Sequence, residues 1–233
     1  MKPYEKLAFL YEKDWGKFSL GYLDLLDHIF KSLNFIPSTI LDIACGTGDL
    51  VLELHKRGYK VVGTDISPEM IKISKTKNPR VEFIVSDMSE LSLNKTFDLV
   101  ICPFDSLNYL LSDKKVDATF SKVYEHLNRG GFFVFDINTP NLYEKKHHGI
   151  IDRDIEGIKF KQILKYDSEK KLAYTVFEFN DAETEEHIQR AYKKDEIIKK
   201  LIIHRYSIVG AYQSLQLDEA TSDSEKVYIV TRK

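Results

Sequence analysis

The stretch LDIACGTGDL, residues 41–50, decides the fold of this chain. Apolar residues surround Asp42, two glycines follow one residue apart at Gly46 and Gly48, and the stretch ends at Asp49 and Leu50. An apolar run before glycines indicates a buried strand, and the residues after the glycines indicate the start of a helix. Such a loop lets the backbone approach a nucleotide closely. The stretch therefore predicts a strand–loop–helix unit that binds a nucleotide.

The same alternation of apolar strands and helical patterns extends on both sides of this loop. Strands alternating with helices imply a parallel sheet that is covered on both faces. We therefore predict an α/β fold with a doubly wound, Rossmann-like, mainly parallel sheet, and a ligand site at the carboxyl ends of its strands. Predicted strands cover 39–44, 60–66, 81–88, 97–104 and 131–138, and predicted helices cover 18–34, 49–57, 67–77 and 112–128.

The pattern changes after Pro140, where alternating segments suggest antiparallel strands with one wet face. A helix and two further strands follow, and the strands could complete the main sheet as an antiparallel edge pair, giving the seven strands typical of one Rossmann-like type. The three alternating segments are 158–167, 172–180 and 185–192, the helix is 194–204, and the last strands are 206–215 and 226–232. We therefore divide the chain into N-terminal helices and α/β core (1–144), an antiparallel β insert or lid (145–192), and a final helix with two strands (193–233).

The composition excludes several classes of protein. The net charge is -2, from 34 basic and 36 acidic residues, so no strong positive field attracts nucleic acid. Only two cysteines occur, Cys45 and Cys102, as in a protein of a reducing compartment. No run of about 18 apolar residues indicates a membrane span. We expect a cytoplasmic protein, monomeric or homodimeric, that binds neither nucleic acid nor membrane.

The charges around the glycine loop argue against a ligand with phosphates. The loop has no lysine of the phosphate-binding P-loop type, and Val51 replaces the third glycine of the dinucleotide fingerprint. Asp49 at the helix entrance and Asp42 before the loop would repel a pyrophosphate. S-adenosylmethionine carries a sulfonium and an ammonium and no phosphate, so it suits the loop better. An NAD(P)-dependent oxidoreductase remains the alternative.

Two further acids follow the next two predicted strands. Asp65 ends the second strand, where a carboxylate can accept hydrogen bonds from both ribose hydroxyls. Asp87 ends the third strand, where a carboxylate can accept from the adenine amino group, and Met88 offers an apolar contact beside it. The acids therefore predict a grip on adenosine.

At these residues the chain resembles the class I S-adenosylmethionine-dependent methyltransferases. The resemblance covers residues 4–140 and departs from the commonest pattern at Ala44, where the first glycine of D-x-G-x-G-x-G would stand. The chain is similar, more narrowly, to a small bacterial subgroup that includes glycine/sarcosine-type and aminosugar N-methyltransferases. The matching motifs are LDIACGTG, VVGTDISPEM, VSDM and FDLVICPFDSLNYL.

The resemblance implies a set of residues that bind S-adenosylmethionine. The loop and strand ends would hold the adenosine and the amino acid part, Cys102 would lie near the ligand, and aromatic residues of the N-terminal helices would close over the methionine end. The implied binding residues are Tyr11, Trp15, Tyr22, Asp42, Ala44, Gly46, Asp65, Ile66, Asp87, Met88 and Cys102.

The expected reaction is methyl transfer to a nitrogen or oxygen of a small molecule, by in-line positioning with little or no general-base help. Asn108, Tyr109 and His187 are the candidate catalytic residues, and His187 could remove a proton near neutral pH. Asp105, Asp136, Asn138 and Arg190 are further candidates to face the acceptor. The pair His147 and His148 lacks suitably spaced partners, so no metal is expected. A non-catalytic S-adenosylmethionine-binding protein is a second alternative.

Overall fold

Two β-sheets organise the protein, which a computed structural model describes for residues 3–233. A seven-stranded sheet forms the centre, and a separate four-stranded sheet is added to it. The strands are β1 (Thr39–Asp42), β2 (Lys60–Asp65), β3 (Glu82–Val85), β4 (Phe97–Cys102), β5 (Leu127–Asn138), β6 (Gly149–Ile155), β7 (Ile158–Asp167), β8 (Leu172–Phe179), β9 (Thr184–Arg190), β10 (Ser207–Tyr212) and β11 (Lys226–Arg232).

The strand order of the large sheet is β10-β11-β5-β4-β1-β2-β3. The five strands from β5 to β3 run parallel, and β11 pairs antiparallel with both β5 and β10. This confirms the predicted doubly wound sheet and its antiparallel edge pair. The chain order reverses between β1 and β4, and the crevice at such a reversal is where ligands bind in open α/β sheets.

In the described part of the chain, seven α-helices accompany the sheets, and the starts of two of them show why the sequence forms them. The Ser67 side chain accepts a hydrogen bond from Met70 N–H and Pro68 opens the helix, while Ser112 accepts from Lys115 N–H. The helices are α1 (Leu7–Asp14), α2 (Tyr22–Leu33), α3 (Asp49–Lys56), α4 (Pro68–Lys77), α5 (Asp113–His126), α6 (Pro140–Lys146) and α7 (Lys194–Ile203). No helix within residues 3–233 is long and apolar enough to cross a membrane.

The apolar core lies on both faces of the large sheet. In β4, Val100 belongs to one buried cluster, whereas its neighbours Leu99 and Ile101 belong to the other. Successive side chains of a strand point to opposite faces, so a strand buried on both sides is apolar at every position. Each such side chain contributes about 1.5–3 kcal/mol when it is fully buried. The rigid sheet therefore holds its strand ends in fixed positions.

The insert contains more structure than the sequence predicted. It has four antiparallel strands, β6 to β9, where three were predicted, and α6 precedes them. The sequence of β6, GIIDRDI, mixes apolar and charged residues without strict alternation, and its residues are mostly exposed because it is an edge strand. The boundary predicted between residues 144 and 145 falls inside α6. The predicted helix 18–34 is divided, because a 3-10 helix, Gly16–Gly21, precedes α2.

Candidate functional site

A cavity of about 500 Å³ opens at the carboxyl ends of the parallel strands. Its walls are the loop after β1, the ends of β2 and β3, the turn after β4, and N-terminal residues that include Tyr4 and Tyr11. The volume lies within the range of about 300–1,000 Å³ that is usual for small-molecule sites. The predicted position of the ligand site therefore coincides with a formed cavity.

The glycine loop reaches the cavity through two residues with left-handed backbone angles. Gly46 has φ +52° and Gly48 has φ +84°. A residue with a Cβ would be strained at these backbone angles, whereas glycine is not. A Cβ on Gly48 would also lie 3.0 Å from Ser74 Cβ and 3.1 Å from the Phe83 ring. Ala44 has no positive φ, so the alanine that departs from the family pattern costs the loop no backbone strain.

Asp65 ties the end of β2 to the glycine loop. Its Oδ2 accepts from Gly46 N–H at 2.9 Å, and its Oδ1 accepts from Ser67 N–H at 2.9 Å. Burial raises the pKa of Asp65, and these backbone hydrogen bonds act in the opposite direction. Each carboxylate oxygen keeps a lone pair for a further donor, such as a ribose hydroxyl.

Two acids flank the loop with different electrostatic surroundings. Burial raises the pKa of Asp42 to about 8, and its Oδ1 accepts from Ala44 N–H at 3.1 Å. Asp49 lies 2.7 Å from Lys77 Nζ, so its charge is compensated. The repulsion expected between Asp49 and a phosphate is therefore weakened, and the largely protonated Asp42 adds little negative charge to the empty cavity at neutral pH.

The end of β3 supplies one acid and one apolar wall. Asp87 Oδ1 accepts from the Ser89 N–H and hydroxyl, and its Oδ2 lies 3.0 Å from Lys115 Nζ. Burial raises the pKa of Asp87, but the hydrogen bonds from Ser89 and Lys115 outweigh it and hold the pKa below its usual value. Met88 and Ile66 line the same part of the cavity.

Three residues expected at the ligand do not line the large cavity. Cys102 is fully buried, and burial raises the pKa of its thiol, so it is a packed side chain and no nucleophile. Tyr22 is buried, and its hydroxyl makes no hydrogen bond within residues 3–233. The Trp15 ring packs 6.3 Å from the Phe177 ring of the insert, measured between centroids, because α1 carries it toward β8. Tyr11, in contrast, lines the large cavity.

A second cavity of about 150 Å³ adjoins the first. Four residues line both cavities: Tyr4, Tyr11, Phe104 and Tyr109. The rest of its wall comes from α1 and the insert. Those residues are Leu7, Trp15, Gln162, Thr175, Phe177 and His187. The insert thus shares a cavity with the residues that border the glycine loop.

A chain of polar contacts crosses the boundary between the cavities. The Tyr109 hydroxyl lies 2.8 Å from His187 Nδ1 and 3.0 Å from the Tyr4 hydroxyl. His187 Nε2 lies 2.7 Å from Oε1 of Glu185, which is fully buried. Sequence reasoning found Tyr109 and His187 but missed the other two. The spacing of Glu185 and His187 was a usable signal, since residues two apart in a strand share one face.

Asn108 occupies a different place from the predicted one. Its side chain is fully buried and does not line either cavity. The amide donates to Asn138 O at 2.9 Å and to Arg190 O at 2.8 Å, and its Oδ1 accepts from Asn138 N–H at 3.0 Å. All its polar atoms are thus used to join β9 to the end of β5, which leaves none for an acceptor.

The acidic residues near the turn after β4, Asp105 and Asp136, also have partners within the protein. Asp136 accepts from the N–H groups of Phe104 and Asp105, at 2.7 and 2.8 Å. Lys226 Nζ lies 2.6 Å from Asp136 and 3.0 Å from Asp105. Phe104 and Asp105 have φ of +62° and +48°, so this network holds a strained turn against the cavities. Arg190 pairs with Asp113.

The histidines of the insert do not assemble a metal centre. His147 is half-buried, its Nε2 lies 3.0 Å from Tyr174 O, and burial lowers its pKa. His148 Nε2 lies 2.7 Å from Glu144 O. Within residues 3–233, no three His, Cys, Asp or Glu side chains are grouped so that they could hold a metal ion.

The large cavity suits a cationic ligand with an adenosine and no phosphate. Among the described residues, five carboxyl groups line it, at Asp42, Asp49, Asp65, Glu69 and Asp87. Lys115 is the one lysine or arginine among the described lining residues, and it is paired with Asp87. A phosphate would find no free cation here, whereas a sulfonium and an ammonium would be attracted. The residues present therefore fit S-adenosylmethionine.

Comparisons with known proteins agree with this chemistry. Residues 40–131 match the family model described as a methyltransferase domain. A protein of Geobacillus sp. (strain WCH70) that is named as a methyltransferase is 32% identical over 211 residues, which covers 83% of this chain and 84% of the relative. An N,N-dimethyltransferase of dTDP-3-amino-3,6-dideoxy-alpha-D-glucopyranose from Streptomyces fradiae is 30% identical over 99 residues, or 42% of this chain and 39% of the relative.

Solved structures show the same architecture. The crystal structure of an S-adenosylmethionine-dependent methyltransferase from Clostridium acetobutylicum ATCC 824 superposes with a TM-score of 0.83 at 26% identity, covering 98% of both chains. The amino pentose methyltransferase CalS10 from Micromonospora echinaspora shares the fold, with a TM-score of 0.71 at 18% identity over 97% of this chain and 95% of the other. The glycine loop, the strand-end acids and these relatives together show that the chain belongs to the class I S-adenosylmethionine-dependent methyltransferases.

Proposed function

We propose that the protein transfers the methyl group of S-adenosylmethionine to a nitrogen or oxygen of a small molecule held in the smaller cavity. The observation that carries this proposal is the shared wall of the two cavities, formed by Tyr4, Tyr11, Phe104 and Tyr109. A donor in the larger cavity and an acceptor in the smaller one would meet at that wall. The sulfonium already activates the methyl group, so the protein's main task is to align the acceptor and exclude water.

The residues proposed to bind the methyl donor, S-adenosylmethionine, lie mainly at the ends of the parallel strands. In this proposal Asp65 binds the ribose, and Asp87 binds the adenine amino group beside Ile66 and Met88. Asp42 faces the amino acid part, whose ammonium would favour the ionised form of this carboxyl. Ala44 and Gly46 allow the close approach of the backbone, and Tyr11 covers the methionine end. Trp15 is assigned to the acceptor side, because it lines the smaller cavity.

The lining of the smaller cavity limits the class of acceptor. Its described lining residues include no Asp, Glu, Lys or Arg, and their aromatic rings are those of Tyr4, Tyr11, Trp15, Phe104, Tyr109, Phe177 and His187. The part of the acceptor that enters would therefore be uncharged and partly apolar, with Gln162 and Thr175 available for hydrogen bonds. An amino group on a sugar ring fits this description, and the S. fradiae relative is named for such a substrate. We propose that the insert, residues 145–192, acts as the lid that selects the acceptor.

Calorimetric titration with S-adenosylmethionine and NADH tests the choice of donor. Micromolar or tighter binding of S-adenosylmethionine is expected, and Asp65→Ala should weaken it by about 1.5–3 kcal/mol, as expected for lost hydrogen bonds to a charged group. Binding of NADH without binding of S-adenosylmethionine would return the oxidoreductase alternative. An unchanged dissociation constant in Asp65→Ala would show that the ribose lies elsewhere.

Transfer of a deuterated methyl group tests the acceptor class. Incubation with labelled S-adenosylmethionine and a panel of amines, alcohols and aminosugars should yield S-adenosylhomocysteine and a labelled product. Thr175→Phe, which fills the smaller cavity, should stop transfer and leave donor binding unchanged. Thr76→Phe on the exposed side of α4 is the matched control. Donor binding without transfer to any of the panel would favour the non-catalytic alternative.

A further inference from the structure

We infer that Tyr4, Tyr109 and His187 form a proton relay that takes the proton of the methyl acceptor, and that Glu185 positions this relay. The inference rests on the proposed function, because it assigns the fate of the acceptor's proton in that reaction. It replaces the expectation of little general-base help. Tyr4 and Glu185 receive roles that the sequence did not suggest.

The hydrogen bonds around Glu185 determine its charge state. Its side chain is fully buried and accepts from the backbone N–H groups of Tyr4, Lys6 and Leu7, at 2.6, 2.8 and 3.0 Å. Burial raises the pKa of Glu185, but the hydrogen bonds from His187 and from these backbone groups outweigh it and hold the pKa below its usual value. Glu185 is therefore an ionised carboxylate that only accepts hydrogen bonds.

The carboxylate fixes the direction of its own contact with His187, and the relay assigns the directions of the next two contacts. Because Glu185 only accepts, His187 Nε2 must carry a hydrogen and donate it across the 2.7 Å contact. In the neutral imidazole that the relay requires, Nδ1 has a lone pair that accepts from the Tyr109 hydroxyl at 2.8 Å. Tyr109 has given its only hydrogen, so its oxygen accepts from the Tyr4 hydroxyl at 3.0 Å. A neutral imidazole thus has its basic nitrogen turned toward the wall between the two cavities.

Methyl transfer releases one proton from the acceptor, and the relay provides a place for that proton. The lone pair of the acceptor nitrogen or oxygen bonds to the methyl carbon, and the electrons of the broken sulfur–carbon bond stay on sulfur. The acceptor's proton passes to the oxygen of Tyr109, directly or through Tyr4, while the Tyr109 proton moves to His187 Nδ1. Burial raises the pKa of Tyr109, so the phenol hands on a proton and does not store negative charge. The imidazolium is stabilised by Glu185.

Within residues 3–233, Glu185 is the charged side chain in hydrogen-bond contact with His187. From the neighbouring strand β8, Thr175 lies opposite His187 and the Phe177 ring lies 5.2 Å away between centroids. The titratable groups in contact with His187 are Glu185 on its own strand, Tyr109 from the turn after β4, and Tyr4 from the segment before α1, whose ring lies 4.6 Å from the imidazole. His187 therefore contacts both the carboxylate and the two phenols of the relay.

Methyl transfer to methoxyamine, an amine that is neutral around physiological pH, tests the relay. Tyr109→Phe and His187→Gln should lower the rate at least tenfold, toward the factor of about 10²–10⁴ that positioned proton transfer contributes. Both variants should bind S-adenosylmethionine within about twofold of the wild type. Tyr124→Phe and His28→Gln, which lie away from both cavities, are the matched controls.

Nitrogen NMR of the histidine rings tests the relay without any acceptor. At neutral pH, His187 should carry hydrogen on Nε2 alone, and its signals are assigned by their loss in His187→Gln. A ring protonated on Nδ1, or on both nitrogens, would overturn the relay, as would variant rates within twofold of the wild type. Failure of the proposed function would give a different result, because the wild type would then bind no S-adenosylmethionine or transfer no methyl group. In that case the NMR measurement alone would test the hydrogen-bond directions of the relay.

Discussion

Lys115 Nζ lies 3.0 Å from Asp87 Oδ2 at the edge of the larger cavity. The lysine is 52% exposed, whereas Asp87 is 19% exposed and also accepts hydrogen bonds from Ser89. An ion pair with one exposed partner contributes at most about 1 kcal/mol. An adenine amino group could therefore share or replace the lysine on this carboxylate at little cost.

Exchange of Asp87 for asparagine should weaken S-adenosylmethionine binding about tenfold or more. Asp87→Asn keeps an oxygen for Ser89 but turns an amide NH₂ toward the adenine, which removes a charge-assisted hydrogen bond. Lys115→Ala, as the matched change of the partner, should alter the dissociation constant by less than about fivefold. Titration calorimetry of both variants checks this, and equal losses would contradict the assignment of Asp87 to adenine.

The buried carboxyl of Asp42 should make stability depend on pH. Its pKa is about 8 in the folded protein, against about 3.9 in an unfolded chain. The folded state holds this proton more tightly, so the stabilisation is complete below about pH 4 and is lost as the pH rises to 8. Asp42→Asn stays neutral at every pH. The melting temperature of Asp42→Asn should therefore rise relative to that of the wild type between pH 4 and 8. Each ~1 kcal/mol of stability that the wild type loses corresponds to about 2–4 °C in a protein of this size.

Thermal unfolding at several pH values measures this difference. Asp24→Asn, on the exposed face of α2, is the matched control and should follow the wild type. Parallel curves for Asp42→Asn and Asp24→Asn would contradict the raised pKa, because they would show that Asp42 titrates alike in the folded and unfolded protein.

Gly48 and Gly58 both have a positive φ but should differ in their tolerance of alanine. Gly48→Ala meets Ser74 and Phe83 at 3.0 and 3.1 Å, whereas a Cβ on Gly58, with φ +96°, has no heavy atom within 4 Å. Both substitutions cost about 1–3 kcal/mol of backbone strain, and Gly48→Ala should cost about 1–3 kcal/mol more through overpacking. Urea unfolding of the two variants gives the difference directly. Equal stabilities would mean that α4 and β3 yield without cost.

Loss of the Glu185 charge should loosen the N-terminal segment. Glu185→Gln leaves a single carbonyl oxygen for the N–H groups of Tyr4, Lys6 and Leu7. Loss of charged hydrogen bonds worth about 1.5–3 kcal/mol should speed amide exchange there roughly ten- to hundredfold. Glu186→Gln, the next residue of β9 and exposed, is the control. Unchanged exchange in Glu185→Gln would show that other contacts hold the segment.

The parts of the fold that the sequence predicted are those with local, periodic signals. The strands of the large sheet and the helix starts at Ser67 and Ser112 were predictable, because apolar runs and cap residues mark them. Asp65 and Asp87 were predictable as cavity residues because each lies at the end of an apolar strand, and a parallel sheet brings the ends of its strands together. The edge strand β6 and the short helix α6 were missed, because neither has a sustained apolar pattern.

The parts that were missed depend on contacts between distant residues. Tyr4 and Glu185 are 181 residues apart and meet through a single hydrogen bond, which leaves no periodic trace in the sequence. Asn108 has the residue type of a substrate-positioning group, but its environment uses all its polar atoms for structure. Whether a polar side chain faces a cavity or a buried carbonyl depends on tertiary packing, which one sequence does not report.

The cap that Glu185 provides to α1 makes the acceptor half of the site a composite of two separate pieces of chain. The first piece is residues 4–15 and the second is residues 149–190, and Lys6 adds contacts to Asp181 and Glu183 at the same junction. A chimaera that received only the second piece from a relative would lose the match between the carboxylate and the N–H groups it caps. Exchange of acceptor selectivity between members of this family should therefore transplant both pieces as one module.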